Sequence, residues 1–132
     1  MKTVFVDTSG FYALLDGTDE FHSQARTCFA RAAAEGWKLM TTNYVVHETW
    51  ALIQRRLGWA ALEAFLLDVL PLCQIAWVDD NLHTMSAASC RQVHERRFSL
   101  TDAVSLEYMR QQGLTNAIVQ DEHFARSGIS LP

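Results

Sequence analysis

The sequence predicts an α/β fold, a three-layer α/β/α sandwich with a mainly parallel central sheet. Three observations predict it. Short apolar runs, rich in β-branched and aromatic residues, alternate along the chain with longer stretches of helical periodicity. These runs are continuous rather than alternating apolar and polar, as in strands covered on both faces. At 132 residues, 49% of them hydrophobic and 20% charged, the chain has the size and balance of one packed domain spanning 1–132.

The first run, Thr3-Val4-Phe5-Val6, is cut off by Asp7-Thr8-Ser9 and reads as a buried strand. Gly10 to Leu15 reads as a short helix, and Asp16-Gly17-Thr18-Asp19 as a turn that caps the next one. That helix, from about Glu20 to Glu35, carries Phe21, Ala25, Cys28, Phe29 and Ala32 on one stripe, and Gly36 ends it. Trp37 to Thr41 is the second strand. Strand, helices and strand in this order make a parallel pair joined by a right-handed crossover.

Thr42-Asn43 offers an N-cap for a helix from Tyr44 to Leu57, closed by Gly58. A fourth helix, about Trp59 to Leu70, should stop at Pro71, because the residue before a proline is disfavoured in the helical region. Cys73 to Trp77 is the third strand. A helix from about Asp80 to Arg96 has acids at its start and arginines at its end, as the macrodipole prefers. Ser99 caps a helix over Leu100–Gln112 that Gly113 stops; Ala117–Val119 is the fourth strand, Asp121–Arg126 a helical turn, and Ile129–Leu131 an edge strand.

Composition narrows the chemistry. No basic or long apolar stretch precedes the first strand, so no leader is expected; the apolar tract Ala60–Leu70 is broken by Glu63 and Asp68, which marks an amphipathic helix and not a membrane span. A cytoplasmic protein is expected. Cys28, Cys73 and Cys90 form no C-x-x-C pair and read as reduced thiols, and the five histidines show no ligand spacing for zinc. The net charge of −4 equals four carboxylates; drawing four acids into one cation site leaves the remaining surface without net charge. Nine arginines against two lysines, with pairs at Arg55-Arg56 and Arg96-Arg97 and Arg91 nearby, suit bidentate phosphate contacts, although such pairs also occur as ordinary solvated helix ends.

Four acids return to one edge of this fold. Asp7 follows the first strand directly and Asp121 stands two residues beyond the fourth, so both lie at the carboxyl edge, where open parallel sheets collect ligands. Glu48 and Asp102 are expected at the same edge because a helix that follows a strand begins where that strand ended, and both lie near the starts of their helices. On helical spacing Glu48 shares a face with Tyr44, Val45, Ala51 and Leu52, and Asp102 with Leu106 and Met109. Singly, Asp7 is explained by a turn, Asp102 after Ser99 by the helix dipole and Asp121 by a cap before its helical turn; Glu48 has no such structural task. Together four acids would repel one another and raise each other's pKa unless a cation neutralised them. All-oxygen ligands select Mg²⁺ or Mn²⁺, as one or two ions, over zinc.

These residues resemble the PIN-domain nucleases, in particular the VapC-type ribonuclease toxins of toxin–antitoxin pairs. The resemblance covers essentially the whole chain and rests on Val6-Asp7-Thr8-Ser9, Val46-His47-Glu48, Leu100-Thr101-Asp102-Ala103 and Ile118-Val119-Gln120-Asp121-Glu122-His123-Phe124. It implies an acidic, catalytic metal site of Asp7, Glu48, Asp102 and Asp121, with Thr8 or Ser9 and Thr101 as supporting hydroxyls. It further implies a Mg²⁺- or Mn²⁺-dependent endoribonuclease, a small antitoxin as partner and a homodimer. The chain departs from the family pattern at Val119, where a threonine or serine often stands two residues before the last acid. Arg55, Arg56, Arg96 and Arg97 are candidates for holding the RNA backbone. The competing readings are a PIN-like binding module without turnover, a receiver-like phosphotransfer domain and a serine hydrolase. The second wants a late lysine, and none follows Lys38; the third wants a G-x-S-x-G elbow, which Ser9 lacks.

Overall fold

The computed structural model describes residues 1–132. Four strands, β1 (Thr3–Val6), β2 (Lys38–Thr42), β3 (Cys73–Ala76) and β4 (Ala117–Ile118), form one sheet in the order β3-β2-β1-β4. Every pairing is parallel, with Thr3 opposite Lys38, Phe5 opposite Ala117 and Leu39 opposite Cys73. Val4, Phe5 and Val6 of β1 have no exposed surface. Consecutive strand residues point to opposite faces, so both faces of β1 are covered, as the unbroken apolar run required.

Seven α-helices supply the cover: α1 (Thr8–Leu15), α2 (His22–Glu35), α3 (Asn43–Arg56), α4 (Trp59–Ala64), α5 (Asp80–Val93), α6 (Leu100–Gln112) and α7 (Glu122–Arg126). Phe11 of α1 lies edge-on to Phe65, with ring centroids 5.1 Å apart, and 6.2 Å from Phe29 of α2; Phe5 meets Tyr108 of α6 at 6.0 Å. Burying a phenylalanine completely contributes about 1.5–3 kcal/mol, so these rings anchor the helices to the sheet. None of the helices is long and apolar enough to cross a membrane. The three cysteines are free, and burial pushes the Cys73 thiol up to about 12.

Several expected boundaries shift. The helix expected over Trp59–Leu70 is regular only to Ala64 and then widens into a π turn, Phe65–Val69, and a 3₁₀ turn, Leu70–Leu72, that accommodates Pro71. Proline lacks the N–H that a regular continuation would use. The helix expected to reach Arg96 ends at Val93, where His94 adopts a left-handed conformation (φ 54°) and donates its N–H to Cys90 O. Arg96 and Arg97 therefore sit in a turn beyond the helix. β3 stops at Ala76, leaving Trp77 exposed, and the expected edge strand Ile129–Leu131 is a single parallel bridge between Asn116 and Ser130.

Candidate active site

Asp7, the first residue after β1, is the N-cap of α1: its Oδ2 accepts from Ser9 N (3.1 Å) and Ser9 Oγ (2.8 Å). Ser9 Oγ in turn accepts from Gln120 N (2.9 Å), which ties the end of β1 to the end of β4. The other carboxylate oxygen, Asp7 Oδ1, is buried and has no hydrogen-bond partner. Buried carboxylate oxygens are normally paired, because leaving one bare costs its full desolvation. The side chain is 5% exposed. Burial, followed by the charge of Asp102 and then Glu48, pushes its pKa up to about 7 against the lowering effect of the Ser9 hydrogen bonds.

Asp102 stands in the first turn of α6 and completes a capping box. Its Oδ2 accepts from Ser99 N (2.9 Å) while Ser99 Oγ accepts from Asp102 N (3.1 Å). α6 follows α5 and not a strand, so the rule expected to bring Asp102 to the carboxyl edge does not apply to it. Instead α6 runs against the strand it feeds, β4, and its start falls at that strand's far end. Asp102 is 9% exposed. Burial first, then the charges of Asp121 and Glu48, raises its pKa, opposed by the Ser99 N–H.

Glu48 lies in the second turn of α3, whose start is fixed by Thr42 Oγ1 accepting from Val45 N (3.3 Å). Asp121 caps α7 through Oδ1, which accepts from His123 N (2.7 Å). The four acids line one open cleft of about 400 Å³, together with Thr8, Ser9, Tyr12, Gln120, Arg56 and Arg97. Asp7 and Asp121 cap helices, Asp102 completes the capping box of Ser99, and all three also line the cleft, so a capping role does not take them away from it.

The structure sorts the remaining candidates. Arg56 and Arg97 line the cleft; Arg55 and Arg96 do not. Of the two expected hydroxyls, Ser9 Oγ hydrogen-bonds Asp7, whereas Thr8 Oγ1 accepts from Thr49 Oγ1 (3.1 Å). Thr101 lines a neighbouring groove with Tyr44, His47, Trp50 and Trp77. Sequence reasoning missed His123. It is 8% exposed, and both ring nitrogens face carboxylates, Nδ1 at 3.0 Å from Asp121 Oδ1 and Nε2 at 2.7 Å from Glu95 Oε2; the neutral ring can donate to one of them, the protonated ring to both. The hydrogen bond to Glu95, then those to Asp121, raises its pKa against desolvation. A histidine two residues after a capping acid was the only sequence signal, and its second partner lies 28 residues away.

No three of the acidic, histidine or cysteine side chains close on a common point; the carboxylates ring the cleft. The donor set still fits a hard divalent cation. It is all oxygen, two of its members are buried, and Asp7 presents a sealed oxygen with nothing on it.

Residues 4–129 match the PIN domain family. The chain is 32% identical over 126 residues to VapC20 of Mycobacterium tuberculosis, a 23S rRNA-specific endonuclease, covering 95% of this chain and 94% of that protein. The crystal structure of Mycobacterium tuberculosis VapC20, described as a sarcin–ricin loop cleaving toxin, superposes with a TM-score of 0.83 and 31% identity over 96% of this chain and 95% of that one. A crystal structure of FitAcB from Neisseria gonorrhoeae matches with a TM-score of 0.69 over 98% of this chain and 96% of that one, and at 15% identity shares the fold alone.

Proposed function

The chain belongs to the PIN-domain family, and from that premise we propose that it is a Mg²⁺- or Mn²⁺-dependent endoribonuclease, the toxin of a toxin–antitoxin pair. The observation that carries the metal dependence is Asp7 Oδ1, a buried and unpartnered oxygen among three further acids. A binding module that had lost turnover would gain nothing from keeping it. The similarity to VapC20 along nearly the whole chain supports RNA as substrate, and the sarcin–ricin loop of 23S rRNA is the first sequence to test.

Asp7, Glu48, Asp102 and Asp121 would hold one or two ions. A bound Mg²⁺ or Mn²⁺ would supply Lewis acidity, easing ionisation of the attacking water and offsetting charge on the leaving oxygen. The protein's own groups do the rest. Ser9 keeps the Asp7 carboxylate turned and the β4 end close, a carboxylate of the set accepts the proton of the attacking water, and Arg56 and Arg97 grip the phosphate backbone on either side. Unpaired loop nucleotides suit the cleft, because their bases can be splayed away from the backbone.

Three further parts of the proposal are a small antitoxin as partner, a homodimer, and action in the cytoplasm. Exposed Trp50, Trp59, Leu67, Leu72 and Trp77 give such contacts apolar surface to use. The test is incubation of the purified protein with a synthetic sarcin–ricin RNA in Mg²⁺, in Mn²⁺ and in chelator. A discrete cut in either metal that chelator stops is expected; cutting that survives chelation would refute the metal assignment.

A further inference from the structure

Asp121 is the least supported of the four acids by regular structure. It stands between a two-residue strand and a five-residue helix. Its orientation comes from hydrogen bonds instead. The backbone N–H of His123 donates to Oδ1 at 2.7 Å, and the ring Nδ1 lies 3.0 Å from the same oxygen. Two contacts on one oxygen fix the plane of the carboxylate and leave Oδ2 unengaged by them.

The ring cannot turn freely. It is buried, it packs at 5.0 Å against Phe98, and its Nε2 is held by Glu95 Oε2 at 2.7 Å. Glu95 and Phe98 belong to the turn that leads into Ser99 and the Asp102 capping box. The Glu95–His123–Asp121 contacts therefore tie Asp121 to the turn that precedes the Asp102 capping box. Two like charges across a cleft tend to swing apart; this tie opposes it.

We infer that His123, braced by Glu95, is a positioning residue that holds the Asp121 carboxylate in place for a divalent cation. The inference rests on reading the four acids as a cation site. Groups that orient ligands from behind the first layer change metal affinity by roughly tenfold to hundredfold when removed. A merely structural histidine, tying α7 to the turn, would lower the melting temperature and leave metal affinity alone.

The experiment measures Mn²⁺ binding to the full chain by the loss of the free-ion electron paramagnetic resonance signal, with melting temperature alongside. His123→Phe keeps the bulk and the backbone N–H but removes both ring nitrogens; it should weaken Mn²⁺ binding roughly tenfold to hundredfold. Added to Asp121→Ala, the same change should cost nothing further, since there is no ligand left to orient. Glu95 is half-exposed, its side chain 49% accessible, so Glu95→Ala tests the brace without threatening the fold. It should weaken binding measurably, and Glu95→Gln, which keeps an acceptor but not the charge, should restore it. If His123→Phe, or Glu95→Ala where the first does not fold, binds Mn²⁺ like the parent, the inference is overturned while the cation site stands. An equal loss in Glu95→Gln and Glu95→Ala would overturn the brace as a hydrogen bond. If the parent protein binds no Mn²⁺, the cation reading fails and takes the inference with it.

Discussion

Asp7 divides its work between two oxygens. Oδ2 caps α1 and is satisfied by Ser9; Oδ1 is sealed and bare. Asparagine can keep the cap, since its oxygen accepts the same N–H, while removing the charge. Asp7→Asn is therefore expected to abolish cleavage and to raise the melting temperature of metal-free protein at neutral pH, which calorimetry and an RNA gel check on one preparation. The sign follows from linkage. The folded-state pKa of about 7 lies above the ordinary 3.8, so between those values the unfolded chain releases a proton that the folded one retains. Metal-free stability should fall as pH rises from about 4 to about 7, by at most about 4 kcal/mol from this group. Denaturant melts across that range should show the decline in the parent, a smaller one in Asp7→Asn, where the raised carboxyl of Asp102 still contributes, and recovery of the parent on adding Mg²⁺. Asp7 and its neighbouring hydroxyls are legible from sequence because they follow a strand directly. His123 is not, because its meaning depends on Glu95, which only the fold brings near.

At the scale of elements, the cleft depends on how closely α1 lies against β4. A Cβ added at Gly10 would come within 2.3 Å of Ile118 O and 2.9 Å of Ile118 Cγ2. Gly10→Ala should cost about 1–3 kcal/mol, the usual price of overpacking, and slow cleavage by pushing the β4 end with Gln120 and Asp121 away from Asp7. Gly17→Ala, where nothing lies within 4 Å, is the control and should melt within about 0.5 kcal/mol of the parent. The strands and most helix starts could be read from the sequence, because Thr42, Asp79 and Ser99 cap the helices they precede. Helix ends were harder. A histidine in the left-handed region ends α5 three residues before Arg96, and a π turn carries the chain past Phe65 to Pro71. Neither leaves a mark in apolar periodicity, which reports faces and not turn geometry. The placement of Asp102 was anticipated for the wrong reason, since α6 follows a helix.

Across the whole molecule, an acidic chain that cuts RNA, as proposed above, must still hold a polyanion. Arg56 and Arg97 line the cleft that holds the acids, and Arg55 and Arg96 do not. Arg56→Ala and Arg97→Ala should each weaken RNA binding and lower the salt slope by about 0.7 if each grips one phosphate of a single strand, as titrations at several salt concentrations would show. Arg55→Ala and Arg96→Ala should leave the slope unchanged. Single-turnover cleavage of the sarcin–ricin RNA in Mn²⁺ by the parent and by Asp7→Asn, both shown folded by melting, decides whether the Asp7 carboxylate serves the reaction. A discrete cut by the parent and none by Asp7→Asn, despite its equal or greater stability, is expected; cutting at the parental rate by Asp7→Asn would refute the acidic site as the catalytic centre.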